Sequence, residues 1–147
     1  MTIDDLVERH RRVGVDSNVF IYLFEGSGSE ATSAGLLLDA IEAGRCEGVL
    51  ATVGLTEILT RPASVGDGAI FERYADEIRS IRNLRLAPLD DETAIDAAWG
   101  RSNDRDLGDA VHVATAKTAS ATAFVTNDRR VRARSEVEII RLDAITA

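Results

Sequence analysis

Four carboxylates stand at comparable points along this 147-residue chain. They are Asp16 in V-G-V-D-S-N-V-F, Glu57 in T-E-I-L-T-R-P, Asp109 in D-A-V-H-V-A-T-A and Asp128 in T-N-D-R-R. Carboxylates brought this close repel one another unless they are protonated or share a cation. Hard oxygen donors, in a chain whose only cysteine is Cys46, favour Mg²⁺ or Mn²⁺. Such a centre suits hydrolysis of a phosphodiester: one metal activates water and a second, about 4 Å away, stabilises the leaving oxygen.

Each acid also has a plainer reading. Asp16 can merely cap the helix that follows it, where Ser17 and Asn18 suit a turn or cap and Val19–Phe24 is a helix-compatible apolar run. Glu57 can pair with Arg61, and Asp109 with Arg105, across one helical turn. Asp128 can be an ordinary turn residue. The shared placement weighs the other way. Asp16 follows the short β-branched strand Val13–Val15, Glu57 lies in the helix after the strand Val49–Ala51, and Asp128 follows the strand Ala123–Thr126. Asp109 lies in the first turns of a helix over Leu107–Thr118. In an open parallel sheet, strand ends and the first turns of the following helices share one edge, where such folds bind ligands.

The elements that must position these acids read as follows. Thr2–His10 forms a short helix with Thr2 as cap. Ala31–Ala43 carries an apolar stripe and stops at Gly44. The helix around Thr56–Leu59 ends at Arg61-Pro62, and Ala63–Gly68 is a loop of small residues. Ile70–Ile81 is amphipathic, with Phe71, Tyr74 and Ile78 assigned to core or to a dimer patch. Leu84–Leu86 is a strand. Asp91–Trp99 is a helix with Ile95, Ala98 and Trp99 inward. A polar loop over Gly100–Asp106 leads to the Leu107–Thr118 helix, which buries Leu107, Ala110, Val111, Ala114 and Thr118. Val137–Leu142 is a last strand. Strands alternating with helices predict a mainly parallel α/β sheet covered on both faces, in one domain over residues 1–147.

Composition narrows the function classes. The apolar fraction is 45% and the charged fraction 29%, which marks a folded globular chain. A net charge of −8 argues against bulk electrostatic coating of nucleic acid but leaves room for an enzyme that acts on it. No apolar run reaches the roughly 20 residues of a membrane span. The acidic N-terminus lacks a signal core, and a single cysteine fits a reducing compartment. A cytoplasmic protein is expected.

The four motifs, in this order and spread over most of the chain, resemble those of the PIN-domain ribonucleases, and within them the VapC-type toxins of toxin–antitoxin pairs. The resemblance implies a three-layer α/β/α sandwich and a Mg²⁺-dependent endoribonuclease, with Mn²⁺ as substitute. It makes Asp16, Glu57, Asp109 and Asp128 metal ligands or holders of metal-bound water, and Asn18 and Thr126 polar supports. It also implies an RNA substrate, a cognate antitoxin and a homodimer. Ser17 stands where the family commonly has Thr. Residues 1–12 form an extension before the first strand, and Asp104 and Asp106 add acids beside Asp109.

Other residues are weighed against this site. His112, one turn beyond Asp109, reads as a packed or exposed helix histidine, because the metal chemistry needs no imidazole base. His10 lies outside every motif. Arg129 and Arg130, with Arg132 and Arg134 behind them, offer either a phosphate-gripping rim or a solvated face paired with Glu136 and Glu138. Arg101 and Arg105 are further phosphate candidates. The competing functions are a structure-specific DNA nuclease and a catalytically silent binding module. A phosphoacceptor receiver domain is disfavoured, since the third strand ends in Ala87-Pro88 and the only lysine, Lys117, lies late in a helix.

Overall fold

Side chains alternate in direction along a strand, and here the two directions feed two separate cores. The computed structural model describes residues 1–101, 106–133 and 136–147. Its strands are β1 (Arg12–Val15), β2 (Glu47–Ala51), β3 (Leu84–Ala87), β4 (Ala123–Thr126) and β5 (Glu138–Arg141). They form one sheet in the order β3-β2-β1-β4-β5, and every pairing is parallel. The order reverses between β1 and β4, which is the switch point where such sheets open a crevice at their carboxyl ends.

The connecting helices are α1 (Ile3–Arg9), α2 (Ser17–Glu25), α3 (Ser29–Glu42), α4 (Thr52–Ser64), α5 (Gly68–Ser80), α6 (Asp91–Arg101) and α7 (Leu107–Thr118). Val13, Val15, Ala123 and Val125 point into a cluster with Leu6, Phe20, Leu37 and Ile41 from α1, α2 and α3. Phe124 points the other way, onto Val113 and Ala116 of α7. Gly14 sets how closely α7 approaches, because a Cβ there would fall 2.6 Å from Ala116 Cβ and 2.9 Å from Phe124 Cδ1. The result is a parallel α/β sheet with helices on both faces, as the alternating pattern predicts.

Residues 1–12 are built into this fold. Thr2 caps α1 in a capping box with Asp5, Ile3 and Leu6 are buried, and Thr2 bridges Thr146. His10 is buried between Thr122 Oγ1 at 2.7 Å and Glu138 Oε2 at 3.0 Å. Tyr74 and Ile78 are core residues, and Tyr74 stacks on Phe24 with ring centroids 4.6 Å apart.

Three expectations are corrected. Helix α4 runs through Pro62 to Ser64; a proline in the last turn removes one hydrogen bond there, and the buried ring is retained as packing. In α6 the inward residues are Thr93, Ala97 and Gly100, whereas Ile95 and Trp99 are 67% and 76% exposed. Small residues let α6 sit close on Val111 and Ala114 of α7, a closeness that large inward side chains would prevent. In α7, Leu107 and Thr118 are exposed, because the helix is buried continuously only from Ala110 to Ala116.

Candidate active site

Asp16 leaves the end of β1 and caps α2 in extended conformation, φ −73°, ψ 153°. The cap and the acid are therefore the same residue in one geometry. The residue is 4% exposed, so its charge needs donors. Oδ1 accepts from Ser17 N at 2.7 Å and Ser17 Oγ at 3.3 Å. Oδ2 accepts from Thr126 Oγ1 at 2.6 Å and from Asn18 Nδ2 at 3.4 Å. Asn18 also donates to Thr126 Oγ1 at 3.3 Å and accepts from Asn127 N at 3.3 Å. Asn18 and Thr126 thus tie the ends of β1 and β4 together around one carboxylate.

Glu57 projects from α4 with its side chain 41% exposed. Its partner is His112, whose Nε2 lies 2.6 Å from Oε1; Arg61 pairs with Glu25 instead, at 3.0 Å. The His112 hydrogen bond, outweighing partial burial, holds Glu57 below the ordinary glutamate range. His112 is buried, and its Nε2 is also 3.6 Å from Asp16 Oδ1. Burial opposes its charged form most strongly. The Glu57 hydrogen bond and the charges of Asp16, Glu57 and Asp109 together outweigh burial and raise its pKa.

Asp109 lies in the first turn of α7, whose cap is Asp106; Asp106 Oδ1 accepts from Asp109 N at 3.1 Å. Asp109 is pushed up to about 7 by burial first, and then by the charges of Asp106, Asp16 and Asp128. Asp128 follows β4 and is gripped by Arg130, with Nε 3.0 Å from Oδ1 and Nη2 2.9 Å from Oδ2. Arg130 holds this carboxyl below the ordinary aspartate range. The turn is braced from β5 by Arg141, whose Nη1 donates to Asn127 O at 2.8 Å.

The structure therefore gathers Asp16, Glu57, Asp109 and Asp128 at the carboxyl edge of the sheet. Among the described residues, single ligand atoms of Asp16, Glu57 and His112 lie within 4.8 Å of one another. A carboxylate pushed up to about 7 by burial and then by its acidic neighbours is one that a cation of hard-oxygen preference would relieve. The donor set fits a divalent ion.

The arginines behave differently from one another. Arg130 is committed to Asp128. Arg129, with its side chain 84% exposed, reaches Asp143 only at 4.0 Å. Arg101 ends α6, exposed. Among the described residues, Glu138 pairs with Arg9 and His10, and Glu136 approaches Lys117 at 3.6 Å. Arg105, Asp104 and Arg134 lie outside the described residues. Sequence reasoning missed the role of His112 and the brace from Arg141. The spacing Asp109 to His112 places both on one helical face and was the available signal for the histidine.

The family model described as PIN domain matches residues 13–137. No curated protein sequence matches the chain. Among solved structures, FitAcB from Neisseria gonorrhoeae is similar with a TM-score of 0.68 at 19% identity, over 88% of this chain and 97% of that one. VapBC2 from Rickettsia felis, bound to a DNA fragment from its promoter, gives 0.68 at 12% identity, over 88% and 98%. VapC20 from Mycobacterium tuberculosis, described as a Sarcin-Ricin loop cleaving toxin, gives 0.59 at 13% identity, over 76% and 86%. These likenesses are of fold, and by the family-model match over most of its length the chain belongs to the PIN-domain family.

Proposed function

We propose that this chain is a metal-dependent endoribonuclease and the toxin of a toxin–antitoxin pair. The observation that supports the reading most is geometric: ligand atoms of Asp16 from the end of β1, Glu57 from α4 and His112 from α7 lie within 4.8 Å of one another, with Asp109 one turn before His112 on α7. Asp16, Glu57, Asp109 and Asp128 would hold Mg²⁺, or Mn²⁺ in its place. Such an ion supplies Lewis-acid polarisation of a phosphoryl oxygen and lowers the pKa of an attacking water.

The remaining roles belong to the chain itself. Thr126, Asn18 and the Ser17 N–H keep Asp16 ionised and fixed in direction. Arg129, exposed and among the described residues held only by Asp143 at 4.0 Å, would meet an RNA phosphate, and Arg101 and Arg105 are proposed for the same role. Arg130 neutralises Asp128 until RNA or cation competes for either partner. Toxin–antitoxin neighbours support a cognate antitoxin as partner, and a homodimer is part of the same proposal. No helix among the described residues is long and apolar enough to cross a membrane, and a cytoplasmic location is part of the proposal.

The test is cleavage of several structured RNAs by the purified chain with Mg²⁺, with Mn²⁺ and with chelator, beside a folded Asp16→Asn variant. Cleavage that requires both metal and Asp16 is expected. Equal cleavage by the variant would assign the activity elsewhere.

A further inference from the structure

His112 is 2% exposed, and its ring joins α7 to α4 at the candidate site. Nε2 faces Glu57 Oε1 at 2.6 Å and Asp16 Oδ1 at 3.6 Å. Ionised carboxylate oxygens only accept, so Nε2 is the atom that carries a proton in this arrangement. Nδ1 is buried and has no hydrogen-bond partner among the described residues.

That asymmetry separates two roles. A histidine that binds a metal through Nε2 carries its proton on Nδ1, and that N–H is almost always donated to a carboxylate, a carbonyl or water. Here such a proton would be enclosed without an acceptor. A neutral histidine that donates through Nε2 leaves only a bare lone pair at Nδ1.

Space for the ring is made on the opposite helix. Gly54 lies three residues before Glu57, on the same face of α4. A Cβ at Gly54 would fall 3.0 Å from His112 Cε1 and 2.6 Å from Leu50 Cδ1. A G-x-x-E face of α4 thus meets a D-x-x-H face of α7. Glu57 is the most exposed of the four acids, and among the described residues no other ion pair reaches it, since Arg61 is held by Glu25.

We infer that His112 is a positioning residue: its Nε2–H holds the Glu57 carboxylate beside Asp16, and the imidazole stays outside the ligand set of the metal. The second half rests on the four-carboxylate reading above; the first half does not.

The first test is long-range ¹H–¹⁵N NMR of the metal-free full chain. A proton on Nε2 of His112 is expected, retained when Mg²⁺ is added. A bare Nε2, before or after Mg²⁺, overturns the inference. The second test is Mg²⁺ affinity by calorimetry on variants shown to be folded by circular dichroism. His112→Gln keeps an N–H donor near the place of Nε2 and is expected to bind within about threefold of the wild type. His112→Leu removes the donor and is expected to bind about 10- to 100-fold more weakly. Equal losses in both variants, or no loss in His112→Leu, overturn the positioning role. A wild type that binds no Mg²⁺ sinks the four-carboxylate reading instead, and the NMR result then decides the His112–Glu57 bond alone.

Discussion

Thr126 Oγ1 donates to Asp16 Oδ2 at 2.6 Å although 110 positions separate the two residues. The same hydroxyl oxygen accepts from Asp128 N at 3.0 Å. One buried side chain therefore orients the first acid and shapes the turn that carries the last. Thr126→Val keeps the volume and removes both bonds, together with the one that Asn18 Nδ2 donates to the hydroxyl. Unfolding experiments should show a loss of about 1–3 kcal/mol, the cost of a buried polar group left without its partner. Mg²⁺ binding should weaken roughly tenfold or more. An unchanged Mg²⁺ affinity would detach Thr126 from the site.

Asp109 gives a pH dependence whose sign is fixed. Its folded pKa, about 7, lies above the ordinary 3.8. Between about 4 and 7 the folded chain therefore binds more protons than the unfolded chain, and stability falls as pH rises through that window. Glu57 and Asp128 are shifted the other way, so the difference between wild type and Asp109→Asn isolates the effect. In metal-free buffer the variant should melt higher than the wild type near pH 8, and this advantage should vanish near pH 4. A constant difference across the range would contradict the crowding.

Arg129 and Arg130 should separate by assay. Arg129→Ala should weaken RNA binding and flatten the salt dependence by about 0.7 in the log–log slope, the value for one lost single-strand phosphate contact. Arg130→Ala releases Asp128 from an exposed pair, of the kind that solvent screening keeps weak. Mg²⁺ binding should then tighten by up to about fivefold. Weaker Mg²⁺ binding in Arg130→Ala would mean that the arginine supports the site rather than competing for it.

The two faces of α6 should differ sharply. Ile95→Ser on the outer face should change stability by no more than about 0.5 kcal/mol. Ala97→Leu on the inner face should cost about 1–3 kcal/mol by overpacking against α7. Trp99 is the only tryptophan, so its emission should be red-shifted and open to iodide quenching. A blue-shifted, protected indole would reverse the assignment.

The order of strands and helices was legible because short β-branched runs and helical apolar stripes alternate with few ambiguities. The gathering of Asp16, Glu57, Asp109 and Asp128 at one sheet edge was legible for the same reason, since parallel topology fixes which ends coincide. The orientation of α6 was not. Ile95 and Trp99 form one helical stripe, and Thr93, Ala97 and Gly100 form another; which turns inward depends on how closely α7 approaches. The His112–Glu57 contact spans 55 positions and depends on room left by Gly54, which no local pattern in either helix announces.

The sheet order has a consequence for synthesis. β1 is made early, but its neighbour β4 and the Thr126–Asp128 turn come more than a hundred residues later. A growing chain can form β1, β2 and their helices while Asp16 still lacks its donor from Thr126. The assembled carboxylate cluster, and any chemistry it performs, is thus deferred until translation has passed Asp128.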